Sequence, residues 1–132
     1  YRTGIEMTAE ANITPWINLQ TNLALSRNKV KNFTEYLDDY DAGGQKSYQY
    51  SLTDIAYSPS IVGGANLQIK PVDRLAINLV GKYVGKQYLD NTQNENRKLN
   101  AFYTQDLSLF YTLKLFKLCI KIMFKNEFFF NS

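Results

Sequence analysis

Four carboxylates crowd one polar stretch of the chain: Glu35, Asp38, Asp39 and Asp41. Side chains of this type could capture a cationic ligand or Ca²⁺, a hard ion that prefers carboxylate oxygen. Their spacing fits no EF-hand loop, and a solvated loop is the plainer account. Asp38, Asp39 and Asp41 are still the first candidates for ligand contact, joined by Tyr88 and Asp90 from a second polar stretch. Glu6 and Glu10 are four residues apart, about 13 Å on a strand rising roughly 3.3 Å per residue. That exceeds the about 6.5–9.5 Å between the carboxyls of inverting glycosidases. There is no histidine, which removes the usual general base and the commonest transition-metal ligand. Cys119 stands alone, so neither an internal disulfide nor a cysteine-based metal cluster can form. No catalytic, cofactor-binding or metal-binding residue is assigned, no cofactor is expected, and the chain is not read as an enzyme.

The elements that carry these residues follow from alternation. Between Thr3 and Ile13 the odd positions read Ile5, Met7, Ala9, Ala11 and Ile13, while the even ones read Glu6, Thr8, Glu10 and Asn12. Period two marks a strand with one apolar and one polar face. After a break at Thr14-Pro15-Trp16, Ile17, Leu19, Leu23 and Leu25 alternate with Asn18, Gln20, Asn22 and Ser26. Arg27 to Leu52 reads as a long loop, from its polar composition and the Gly43-Gly44 pair. A third strand opens at Tyr57 and runs to Ile69, with Pro59 and Gly63-Gly64 marking a bend or bulge. Pro71-Val72-Asp73 is a short turn, and Leu75, Ile77, Leu79 and Tyr83 form the next strand. A second long loop covers Gln87 to Asn100. Tyr103 to Leu113 and Leu118 to Lys125 are the last two strands, linked near Leu115-Phe116. The polar positions Glu6, Glu10, Asn18, Gln20, Lys82, Asp106 and Ser108 share one face, and Lys117, Cys119, Lys121 and Lys125 continue it.

The expected fold is all-β: an antiparallel up-and-down β-meander of about six long strands, part of a transmembrane β-barrel. The connections go short, long, short, long, short, the rhythm of outer-membrane barrels with periplasmic turns and external loops. Trp16 then falls at the periplasmic interface, and Tyr57, Tyr83 and Tyr103 at the outer one, as girdle aromatics. Mean hydropathy is −0.34, a value that a strand apolar only at every second residue also gives. A net charge of +3 sets up no strong field, and nucleic acid is not expected as a partner. A soluble β-sandwich with the apolar face packed inside, binding through its loops, also alternates in this way.

Several stretches resemble the late barrel strands of TonB-dependent receptors of bacterial outer membranes. They are Tyr1 to Glu6 (Tyr-Arg-Thr-Gly-Ile-Glu), Ile13 to Leu19 (Ile-Thr-Pro-Trp-Ile-Asn-Leu), Lys82 to Thr92, with its Tyr-Leu-Asp-Asn-Thr, and Tyr103 to Leu107. The resemblance covers residues 1–118, the expected C-terminal barrel segment. It implies a wall section of a 22-stranded barrel around an N-terminal plug, in a receptor that imports iron-siderophore complexes, cobalamin or glycans. The implied partners are outer-membrane lipid, the remainder of the barrel and its plug, and TonB through an N-terminal part outside this chain. Residues 119–132 depart from the family in their Lys and Phe enrichment, and read as a truncated or frame-shifted terminus. Such a fragment is not expected to transport alone, since the smallest barrels have about eight strands. A porin-like or structural barrel segment without TonB coupling is the alternative within the same architecture.

Overall fold

The computed structural model describes the backbone of residues 1–41, 43–115 and 118–131 and the side chains of residues 1–41 and 43–113. The expected lysines Lys117, Lys121 and Lys125, and Cys119, lie outside the described side chains. Every regular element is a strand: β1 (Arg2–Thr14), β2 (Ile17–Asp39), β3 (Gly44–Asp54), β4 (Ile61–Val72), β5 (Leu75–Val84), β6 (Gln87–Tyr88), β7 (Lys98–Leu99), β8 (Phe102–Leu115) and β9 (Leu118–Asn131). The long strands form one antiparallel sheet in the order β1-β2-β4-β5-β8-β9, with β3 added to the far half of β2. The chain is an up-and-down meander, as the alternation predicts. Residues 119–131 continue it as β9, paired with β8 from Leu115↔Leu118 to Phe102↔Asn131.

Register turns five separate alternations into two coherent faces. Ala11 pairs with Leu19, Leu19 with Leu67, Leu67 with Leu79, and Leu79 with Leu107. One step along, Asn12, Asn18, Gln68, Asn78 and Ser108 make a polar row. A slip of one residue on any strand would mix the rows, so the register is strongly specified. The short turns close with small irregularities, a shift between Asn12 and Thr14 in β1 and another between Ile69 and Val72 in β4.

Three expectations need correction. First, Arg27 to Leu52 is not a loop. β2 runs on to Asp39 and β3 returns from Gly44, paired from Lys29↔Asp54 to Asp39↔Gly44. With both faces bearing polar side chains, hydropathy loses its period of two while the backbone, Asn32 apart, stays extended. Only the tip turns, where Gly43 takes φ 67°, a value that glycine adopts at no steric cost. Second, Tyr57 does not open a strand. It lies in the β3–β4 connection with φ 52°, and β4 begins at Ile61. Its backbone N–H donates to Tyr88 O at 2.9 Å, which holds the left-handed conformation in place. Third, Gly63-Gly64 makes no bulge; both residues sit in an unbroken ladder. A Cβ on Gly64 would come within 2.6 Å of Asn22 Oδ1, so close side-chain approach is what glycine permits here.

Candidate functional site

The two faces differ in shape as well as polarity. Across β1, β2, β4 and β5 the polar face is hollowed into an open trough of about 640 Å³, lined by Thr8, Glu10, Asn22, Asn66 and Lys82 among others. Near the short-turn end its polar groups interlock. Asn18 Nδ2 donates to Glu10 Oε1 at 2.9 Å and to Asn12 Oδ1 at 2.8 Å, and Gln20 Nε2 donates to Glu10 Oε1 at 3.2 Å. Of the polar positions named from sequence, the structure thus brings together Glu10, Asn18 and Gln20.

Among the described residues nothing covers the apolar face. Among the described residues no side chain is fully buried, and only Val84 and Tyr88 count as buried apolar residues. Ile5 is 65% exposed, Ile61 42% and Leu107 40%. Burying an aliphatic side chain of this size is worth about 1.5–3 kcal/mol, so a face this apolar requires a cover. Rings flank the band. Tyr83 and Tyr103 are cross-strand partners toward the long-connection end, in the row of Met7, Leu23 and Gly63. The Tyr103 ring fills the space above Gly81, where a Cβ would collide with its hydroxyl. Trp16 sits in the β1–β2 turn at the other end, half exposed, its carbonyl accepting from Lys70 N at 2.7 Å. Tyr111, beside Leu75, adds a ring that was not among the expected girdle aromatics.

Beyond the Tyr83–Tyr103 row, three connections tie together. Asp90 Oδ1 accepts from Thr92 N and Thr92 Oγ1 at 3.0 and 2.5 Å, an Asx-turn that shapes the β6–β7 connection. Its Oδ2 takes Arg97 Nη1 at 3.0 Å, and the same nitrogen reaches Glu35 Oε1 on β2 at 3.5 Å. Tyr50 OH donates to Glu35 Oε2 at 3.1 Å from β3, and its ring stacks on Phe33 at 6.2 Å. Asn91 Oδ1 accepts from Ala56 N at 2.7 Å, joining the β3–β4 connection to the same loop. Within the loop, Glu95 gathers Tyr88 OH at 2.5 Å, Lys98 Nζ at 2.6 Å and Lys86 Nζ at 3.3 Å.

The charges respond to these partners. Hydrogen bonds from Lys98, then Tyr88 and Lys86, pull Glu95 down to about 2. The Thr92 hydroxyl, more than Arg97, holds Asp90 below the ordinary carboxylate range. Arg97 is raised, chiefly by its hydrogen bond to Asp90, and Lys86 is raised, first by the Tyr88 hydroxyl. Burial and then the bond to Glu35 raise Tyr50. Asp90, Glu95, Arg97 and Lys86 are thus each shifted toward their charged forms by these partners.

The ligand candidates named from sequence therefore separate into two places. Tyr88, 5% exposed, and Asp90 belong to the clasp just described, where their polar groups are engaged. Asp38 and Asp39 lie at the far end of β2 and Asp41 in the tip turn. There Asp38 Oδ1 accepts from Gln45 Nε2 at 3.1 Å and Asp39 pairs with Lys46 at 2.5 Å. Among the described residues no three carboxylate, histidine or cysteine side chains gather closely enough to hold a metal ion. Arg97, Glu95, Lys86 and Tyr50 were missed by sequence reading; only the Asp90-Asn91-Thr92 turn leaves a local signature. The chain matches no protein-family model, no curated protein and no solved structure.

Proposed function

We propose that this chain forms part of the wall of a bacterial outer-membrane β-barrel, its apolar face against lipid and its polar trough toward the lumen. The observation that carries the reading is the uncovered apolar face, edged by Trp16 and Tyr111 at one end and Tyr83 and Tyr103 at the other. Among the described residues the only other sheet is the two-stranded β6–β7, which leaves a soluble sandwich without its other half. Ile61 to Ile69 spans eight residue steps of apolar row on β4, about 26 Å along the strand. At a tilt of about 40° that is roughly 20 Å of height, and Trp16 and the Leu75–Tyr111 pair beyond Ile69 extend it toward the about 25 Å of an outer-membrane band. β1 and β9 each pair on one side only, and neighbouring strands of a barrel would satisfy both edges.

Within that architecture, the resemblance of residues 1–118 to late receptor strands supports a TonB-dependent uptake receptor as the whole assembly. Its cargo is a ligand such as an iron-siderophore complex, and the trough faces the plug or the ligand route. The test is circular dichroism and Trp16 emission of the full chain in water, in detergent and in vesicles. The expected result is β-signal and blue-shifted emission only with detergent or lipid. A soluble, cooperatively melting monomer in water would sink the membrane reading.

A further inference from the structure

On β2 the apolar face does not end in neutral residues. Past Leu23 and Leu25 the same side of the strand carries Arg27, Lys29 and Lys31, since residues two apart share a face. The ladder holds one register through this stretch, with Thr3 opposite Arg27, Asp54 opposite Lys29 and Leu52 opposite Lys31. Lys29 is spoken for, paired with Asp54 at 2.7 Å. Arg27 and Lys31 are exposed, and neither forms an ion pair with another described residue. The next carboxylate on this side of β2, Glu35, is held by Arg97 and Tyr50. Arg27 stands about 7 Å, and Lys31 about 20 Å, along the strand from the Leu25 row. Tilt shortens both heights, and long basic side chains snorkel along apolar surface toward headgroups. Leu52, exposed beside Lys31, gives that cation apolar company.

We infer that Arg27 and Lys31 form a binding site for the phosphate groups of membrane lipids in the leaflet at the long-connection end. This rests on the membrane reading above and adds to it a lipid preference. Arg27 continues the lipid-facing row at headgroup height, and Lys31 stands about 13 Å farther along the strand, at the outer margin that its long side chain reaches back from. A phosphorylated lipid can thus lay its chains on Leu23, Leu25 and Ile61 while its phosphate meets the guanidinium. Arginine suits phosphate through its planar fork of donors.

The experiment purifies the full chain from mixed micelles of phosphatidylglycerol and phosphatidylcholine and quantifies the lipid retained. Phosphatidylglycerol should be enriched over phosphatidylcholine, and the enrichment should fall with salt. Arg27→Gln and Lys31→Gln should each lower it by up to about fivefold, the weight of one cation near an anionic surface. Lys46→Gln, an equal loss of charge at the hairpin tip, should leave it unchanged. Equal enrichment in all variants, an equal fall with Lys46→Gln, or displacement of the lipid by inorganic phosphate would each overturn the proposal. Trp16 emission keeps the two readings apart. Blue-shifted emission without lipid preference removes only the basic site, whereas unshifted emission removes the membrane reading and this site with it.

Discussion

The near half of β2 and its far half are one continuous strand with two kinds of support. From Ile17 to Leu25 the strand lies between β1 and β4, and its faces are sorted by polarity row by row. From Lys29 to Asp39 it is half of a hairpin with β3, carrying Tyr36 at 63% exposure, with Tyr40 in the tip turn at 90%. There the structure is held by point contacts: Lys29–Asp54, Lys46–Asp39 and the Glu35–Arg97 link. Asn32, with φ 51°, interrupts the extended backbone between the Lys31↔Leu52 and Phe33↔Tyr50 pairs, and asparagine is among the few side chains at ease there. The ladder geometry is common to both halves. The proposed membrane setting accounts for the difference: an apolar medium would reward sorted faces, and water rewards charges that can be exchanged for hydration.

The sharpest way to break this comparison is to place a charge in each half. Leu79 lies in the middle apolar row beside Leu67 and Leu107. Leu79→Arg should cost about 2–4 kcal/mol of folding free energy in vesicles, the price of a cation on the lipid face near the midplane. Leu37→Arg, on the exposed hairpin, should stay within about 0.5 kcal/mol, as surface substitutions do. Urea titration of vesicle-reconstituted protein, followed by Trp16 emission, gives both values. Equal costs at the two sites would mean that the middle row does not face lipid.

Glycines sharpen the same contrast at smaller scale. Gly81 lies under the Tyr103 ring, with no room for a Cβ, whereas a Cβ on Gly44 meets nothing within 4 Å. Gly81→Ala should cost about 1–3 kcal/mol by overpacking, and Gly44→Ala should be near neutral. Truncating the ring in a Gly81→Ala, Tyr103→Ala double variant should recover part of the loss, since the two sites are in contact and their effects are not additive. Full additivity would show that the ring does not sit on the glycine.

This contrast also explains what could be read from the residues alone. Where one face is apolar, as in Ile5-Met7-Ala9-Ala11, alternation reveals the strand directly. In the hairpin, hydropathy carries no period, so Asp38, Asp39 and Asp41 with Gly43-Gly44 looked like a loop when only the tip turns. Tyr57 looked like the opening of a strand because an aromatic ahead of Ile61 fits the pattern; its left-handed backbone depends on a bond to Tyr88 that no local spacing announces. The neighbourhood of Tyr83 and Tyr103 became visible only with the β5–β8 register. The clasp was least legible, because Glu35 and Arg97 are brought together from distant parts of the chain, whereas Asp90 and Thr92 bond across two residues.

The smallest effects should come from that clasp. Arg97→Gln removes the link from the β6–β7 loop to Glu35 and should speed hydrogen exchange at Leu89 N–H, which donates to Arg97 O across the loop. Salt should produce part of the same change in the unmodified protein, because exposed pairs are screened. Strands β4 and β5 should exchange as before; if they loosen too, the clasp supports the sheet as well as the loop. Acid gives the last test. Glu95 has its folded value lowered from 4.5 to about 2, so folding favours its charged form. Its contribution is complete above about 4.5 and is lost as the pH falls through about 2. Protection of the loop amides should therefore persist at pH 4 and fade only toward about 2, while Glu95→Gln should abolish that acid dependence. Loss already near 4.5 would place Glu95 in open water, without the two lysines and the tyrosine that hold it.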